Sequence, residues 1–192
     1  MDYDLAIENA PATIPGGTGV LLIHPSTGET DRIDTDFLKT DTDRILVIST
    51  RTTAREVQQK LEYYDVDETK ADILDTLSVE RGYSRRSSEH VSYVSSPDDL
   101  DGIVETARRF LEENDGKRRI SLDSVTELAY YADDERALET VEELLALLEE
   151  YDAVGLFHLS EEVHDEADVE AFKSLFDGTV YLDADGSVES DF

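Results

Sequence analysis

The sequence predicts an α/β fold with a mostly parallel central sheet and helices on both of its faces. Three observations predict it. Short apolar runs at 20–23, 44–49 and 153–159 have the length and near-continuous apolar character of strands covered on both sides. They alternate with amphipathic stretches of helical period, the order expected of strands joined by helical crossovers. No internal repeat, linker or low-complexity tract interrupts them, so 1–186 reads as a single domain and 187–192 as a loose acidic tail.

In chain order, Gly16, Gly17 and Gly19 after Pro15 mark a turn, and 20–23 is a short buried strand. Ile33, Phe37 and Leu38 sit at helical spacing and predict a helix over 30–39. RILVIS, 44–49, is a second strand. Thr53 and Glu56 have capping-box spacing before a helix over 54–64, whose apolar stripe is Val57, Leu61 and Tyr64. A third strand is expected at 73–77, followed by a polar loop, GYSRRSSEH, at 82–90. HVSYVS, 90–95, alternates and reads as a strand. Pro97 opens a helix with Asp98 and Asp99 in its first turn, where the helix dipole favours acid. Its inner face is Leu100, Ile103, Val104, Ala107 and Leu111. RISLD, 119–123, is a strand. A long helix over 135–151 turns Leu138, Val141, Leu144, Leu145 and Leu148 inward, and 153–159 is the next strand. Val169, Phe172, Leu175 and Phe176 make a last helix that Gly178 ends, and 179–182 closes the sheet.

Composition narrows the function classes. The 192 residues contain no cysteine, so disulfides and cysteine zinc sites are excluded. No apolar run approaches the roughly 20 residues of a membrane span. The N-terminus, MDYDLAIENA, lacks the basic region of a signal peptide, so a cytoplasmic location is expected. Asp plus Glu number 47 against 17 Lys plus Arg, a net charge of −30. Only five of the basic residues are lysines, and acid is spread along the whole chain. This composition resembles that of proteins from salt-loving archaea, where the Debye length falls to about 3 Å at 1 M salt and self-repulsion is screened. A rival reading is an acidic mimic of nucleic acid. Direct binding of nucleic acid is disfavoured, because basic residues pair only at Arg85-Arg86, Arg108-Arg109 and Arg118-Arg119.

The most informative segment is VLLIHPSTGET, 20–30. A phosphate-binding loop follows a buried strand, opens a helix and runs G-x-x-x-x-G-K-[ST], cradling phosphates with backbone N–H groups and one lysine. Here Gly28 and Thr30 match, Ile23 stands at the first glycine and Glu29 at the lysine. A carboxylate about 4 Å from a phosphate costs roughly 4 kcal/mol at an effective dielectric near 20. The candidate nucleotide-site residues are therefore His24, Pro25, Ser26, Thr27, Gly28, Glu29 and Thr30, with Asp123 at the end of the 119–123 strand. Each has a structural reading as well. Thr30 can simply begin the helix, Glu29 can favour its N-terminus, and Asp123 with Ser124 and Thr126 can cap the next turn.

RISLDSVTELAYYADD (119–134) is similar to the Walker B strand of RecA/KaiC-like ATPases and the segment that follows it. GLFHLSEEVHDEADVEAFKSLFDGTVYLD (155–183) resembles their next strand, helix and edge strand, and YVSSPDDLDGI (93–103) also fits. The resemblance spans roughly 17–182, to haloarchaeal members in particular, and implies a RecA-like P-loop NTPase core. It also implies Thr30 and Asp123 as magnesium-holding groups. The departures are as specific as the matches. The lysine position is Glu29, and the acidic pair after the second core strand, one member of which activates water, falls at Arg51 and Thr52. No catalytic residue and no metal ligand is assigned.

The resulting expectation is a non-catalytic module, with no cofactor, that works in regulation or signalling through a protein partner or self-association at the RecA-like interface. The alternative is an ATP- and magnesium-binding protein, or weak ATPase, with an altered loop. Other chemistry is thin. His158 and His164 flank Glu161, Glu162 and Asp165, but their spacing fits no metal motif. No G-x-S-x-G elbow supports a serine triad. Tyr63-Tyr64 and Tyr130-Tyr131 are candidate interface anchors.

Overall fold

The computed structural model describes residues 1–26, 29–85 and 88–192. Its elements are, in order, β1 (Asp2–Asp4), β2 (Thr13–Pro15), β3 (Gly19–His24), α1 (Asp31–Lys39), β4 (Arg44–Ser49), α2 (Ala54–Tyr63), β5 (Ala71–Asp75), β6 (Val91–Tyr93), α3 (Leu100–Glu113), β7 (Arg118–Asp123), α4 (Val125–Tyr131), α5 (Asp134–Glu150), β8 (Val154–Ser160), α6 (Glu166–Lys173), β9 (Gly178–Leu182) and β10 (Val188–Asp191). Eight strands form one sheet in the order β10-β9-β3-β8-β7-β4-β5-β6. All its pairings are parallel except β10 with β9, and the expected α/β architecture with helices on both faces is present.

Alternating side chains divide the core in two. On one face Val20, Leu22, Ile45, Val47 and Leu156 meet Phe37 and Leu38 of α1 and Val57 and Leu61 of α2. On the other, Leu21, Ile23, Leu46, Ile48, Leu122 and Phe157 meet α3, α5 and Phe172 of α6. Each fully buried Leu or Phe contributes about 1.5–3 kcal/mol relative to its exposure. Among the described residues no helix is long and apolar enough to cross a membrane.

Several local expectations are met in detail. Thr53 and Glu56 form the reciprocal capping box of α2. Others are corrected. The helix after Pro97 begins at Leu100, because Asp99 is its cap, accepting from the Gly102 N–H at 3.1 Å. The inner stripe of α5 is Ala137, Val141, Leu144, Leu147 and Leu148, whereas Leu138 and Leu145 are only partly buried. Gly178 does not end the last helix. α6 stops at Lys173, and Gly178 opens β9, which is an interior strand rather than the edge. The tail at 187–192 is not loose. Gly186, at φ 85°, turns the chain, Gly186 N–H reaches the Asp183 carbonyl at 3.0 Å, and Val188 is buried, so β10 becomes the edge strand.

α4 and the β1–β2 hairpin were also not expected. α4 follows β7 directly, capped by Ser124, which accepts from the Glu127 N–H at 3.3 Å. The β1–β2 hairpin is short and turns only Tyr3 and Ile14 inward. Arg119 fastens it to the sheet. Its guanidinium is fully buried, lies 5.3 Å from the Tyr3 ring and 5.1 Å from the Phe37 ring, and donates to the Asp4 carbonyl at 2.6 Å. Burial brings the Arg119 pKa down to about 10, although Asp41, Tyr3 and Asp4 act the other way.

Candidate functional site

The strand carboxyl ends turn polar on the α1 face. β3 pairs with β8 through Leu22↔His158 and His24↔Ser160, and β7 pairs with β8 through Ser121↔Leu156. Strand alternation then places His24, His158, Ser121 and Asp123 on one face. α1 lies over it and contributes Asp34, which is completely buried.

Asp34 organises this layer. Its Oδ1 accepts from Ser121 Oγ at 2.6 Å and from His158 Nε2 at 2.8 Å, and its Oδ2 accepts from Lys60 Nζ at 2.8 Å. Burial alone would raise the Asp34 pKa, but Lys60 and His158 outweigh it and hold the carboxyl well below its usual range. Burial would likewise lower the His158 pKa, yet Asp123 and Asp34 raise it. Lys60 also lies above its ordinary value, held by Asp34 against its own desolvation. His24 is the opposite case. It is buried, its Nδ1–H donates to the Pro25 carbonyl at 2.8 Å, and burial lowers its pKa, so it is neutral at pH 7. The rings of His24 and His158 meet edge to face at 5.6 Å.

The predicted loop residues are placed as follows. His24 ends β3, and Pro25 is half-buried. Ser26 donates from both its backbone N–H and its hydroxyl to Glu162 Oε1, the hydroxyl at 2.6 Å. These bonds hold the Glu162 carboxyl below the usual carboxylate range. Thr27 and Gly28 lie outside the described residues. Glu29 is exposed. Thr30 is buried at the N-cap of α1, but its side chain makes no capping bond. Asp123 ends β7 and faces Arg51, Nη1 to Oδ1 at 3.5 Å, while its carbonyl accepts from Thr50 N–H at 2.9 Å and Thr50 Oγ1 at 2.7 Å. The cap of the following turn is Ser124, not Asp123.

His158 and His164 do not share a site. His158 faces Asp34, and His164 Nε2 pairs with Thr126 Oγ1 at 2.9 Å. No group of three potential ligands for a metal ion occurs among the described residues. Sequence reasoning missed Asp34 and Lys60, and it weighed Glu162 only beside His158 and His164, not as the partner of Ser26. For Asp34 a signal existed, since it precedes Phe37 by three residues and Leu38 by four and so shares their buried stripe.

The family model of DUF7090, a family of unknown function, matches residues 1–192. The chain belongs to DUF7090. No curated protein sequence matches this DUF7090 chain. Among solved structures it is similar to the KaiC-like protein PH0186 from the hyperthermophilic archaeon Pyrococcus horikoshii OT3, with a TM-score of 0.63 at 14% identity over 93% of this chain and 78% of that one. It is also similar to an ATPase of the type III secretion system of pathogenic bacteria, with a TM-score of 0.63 at 14% identity over 90% of this chain. The match spans about half, 53%, of the secretion ATPase. At such identities the likeness concerns the fold, and the DUF7090 chain has the mostly parallel sheet and flanking helices of these RecA-like neighbours.

Proposed function

We propose that this DUF7090 chain is a non-catalytic RecA/KaiC-like module. It acts by binding another protein in regulation or signalling, in the cytoplasm and in concentrated salt. The observation that carries this reading is the pairing of Ser26 with Glu162. A loop N–H and hydroxyl that a phosphate would need are bonded to the chain's own carboxylate.

The remaining groups point the same way. Magnesium is usually held through carboxylates together with substrate phosphates. Asp123, the carboxylate for it, faces the Arg51 guanidinium at 3.5 Å. The half-buried ammonium of Lys60 is engaged by Asp34. Glu29 adds an exposed negative charge where the loop lysine would stand. This donor set fits MgATP poorly, so no catalytic step is derived through it. Retention of Thr30 and Asp123 supports the second reading, a nucleotide binder with an altered loop.

Thermal melting with and without MgATP in molar KCl separates the two. Nucleotide at a hundred times its Kd stabilises by about 2.7 kcal/mol, which for a domain of this size raises Tm by at least about 5 °C. The proposal expects no shift, and a shift of that size would remove it.

A further inference from the structure

Charge on this chain is unevenly placed in one respect. Of the exposed arginines, Arg51, Arg55, Arg81 and Arg85 stand in the segments that follow β4 and β5, at the carboxyl end of the sheet. Arg32, Arg109 and Arg136 lie singly on α1, α3 and α5. The first four belong to one surface. Arg55, Tyr83 and Ser84 line a cleft of about 740 Å³, and Arg85 follows Ser84 on the chain. Arg81 lies against the hydroxyls of Tyr83 and Tyr131, and Glu127 senses both Arg51 and Arg81. Tyr130, 79% exposed, stands edge to face on Tyr131 at 5.3 Å.

Local structure accounts for Arg51 and Arg81 but not for Arg55 and Arg85. Arg55 sits in the first turn of α2, where a cation opposes the helix dipole. Neither Arg55 nor Arg85 has an ion-pair partner among the described residues, whereas Arg51 has Asp123 and Arg108 has Glu105. On a chain of net charge −30, unpaired guanidinium groups gathered beside exposed tyrosines are the exception.

We propose that this arginine–tyrosine rim is the surface on which the chain binds its partner, and that the partner presents a short, carboxylate-rich protein segment. The inference rests on the reading of the chain as an interaction module. A guanidinium fork matches a carboxylate bidentately, and Arg and Tyr are enriched among residues that dominate interface energy. At 1 M salt the Debye length is about 3 Å, so direct guanidinium–carboxylate contacts are what remain of the attraction. A long polyanion such as nucleic acid would run off the rim onto acidic surface and be repelled. A short acidic segment stays on the rim.

Fluorescence anisotropy in molar KCl tests this with a short fluorescein-labelled peptide of glutamate and leucine. The wild-type chain binds the peptide, and Arg55→Ala/Arg85→Ala weakens binding about tenfold or more. Arg109→Ala on α3 leaves binding unchanged, and thermal melting confirms that the double variant is folded. No binding by the wild type, or equal binding by the folded double variant, overturns the proposal. Tighter binding of a thymidine oligonucleotide of equal charge overturns the choice of an acidic protein. Self-association that the double variant abolishes, without peptide binding, assigns the rim to a second copy and also overturns it. MgATP binding would sink the non-catalytic reading while leaving the peptide result standing, so the two failures are distinguishable.

Discussion

Lys60 reaches from α2 to the buried carboxylate of Asp34 on α1, Nζ to Oδ2 at 2.8 Å, while His158 holds the other oxygen at the same distance. The contact joins two helices to β7 and β8, whose Ser121 and His158 bond the same carboxylate. Removing one partner of a buried pair leaves an uncompensated charge and costs about 3–5 kcal/mol. Asp34→Ala should therefore lower the denaturant midpoint sharply with an unchanged slope. Lys60→Met should be costly as well, since it leaves the completely buried Asp34 carboxylate with His158 as its remaining cationic partner. The double variant should be more stable than the sum of the singles implies, by an interaction energy of about 0.5–3 kcal/mol.

The same network sets a pH dependence whose sign differs for its two ends. Asp34 is depressed in the folded chain, so its contribution is present above the unfolded carboxyl pKa near 3.9 and is lost as pH falls below it. His158 is raised, so its contribution is full below about 6.5 and is lost as pH climbs through its folded value. His24, depressed by burial, acts against His158 in the acid direction, so comparison with variants is needed. Urea titrations from pH 3 to 9 should show that Asp34→Asn flattens the acid limb and His158→Gln the alkaline limb. Parallel limbs in wild type and variants would contradict the assigned charges.

How much of this was legible follows from what each residue contacts. The 44–49 strand and the Thr53–Glu56 capping box are local patterns, and both form as the sequence reads. Asp34 was visible in principle as an acid on an apolar stripe, and His158 as a polar residue inside an apolar strand. Neither could reveal its partner, because Asp34 and His158 are 124 positions apart. Glu162 is 136 positions from Ser26, and nothing in either segment points to the other. Position 51 was legible as the place of a missing acid, yet the contact of Arg51 with Asp123 arises only when β4 and β7 pair at Ser49↔Asp123. The β1–β2 hairpin escaped because each strand is three residues long and carries one inward side chain.

Net charge gives a further prediction. With −30 on the chain, mutual repulsion opposes the compact state, and salt relieves it as the Debye length falls from about 10 Å at 0.1 M to about 3 Å at 1 M. Melting temperature should rise steadily from dilute buffer to molar KCl. The buried Asp34–Lys60 contact is screened much less, so the penalty of Asp34→Ala should change little over the same range.

The central proposal is that the chain's own side chains, Glu162 on Ser26 and Arg51 on Asp123, take the positions a nucleotide and its magnesium would need. Calorimetric titration of the wild-type chain with ATP and Mg²⁺ in molar KCl tests it most directly. The account predicts no binding heat, and then only partial recovery in Glu29→Lys, because Glu162 and Arg51 still hold Ser26 and Asp123. Saturable binding by the wild type at micromolar nucleotide would contradict it.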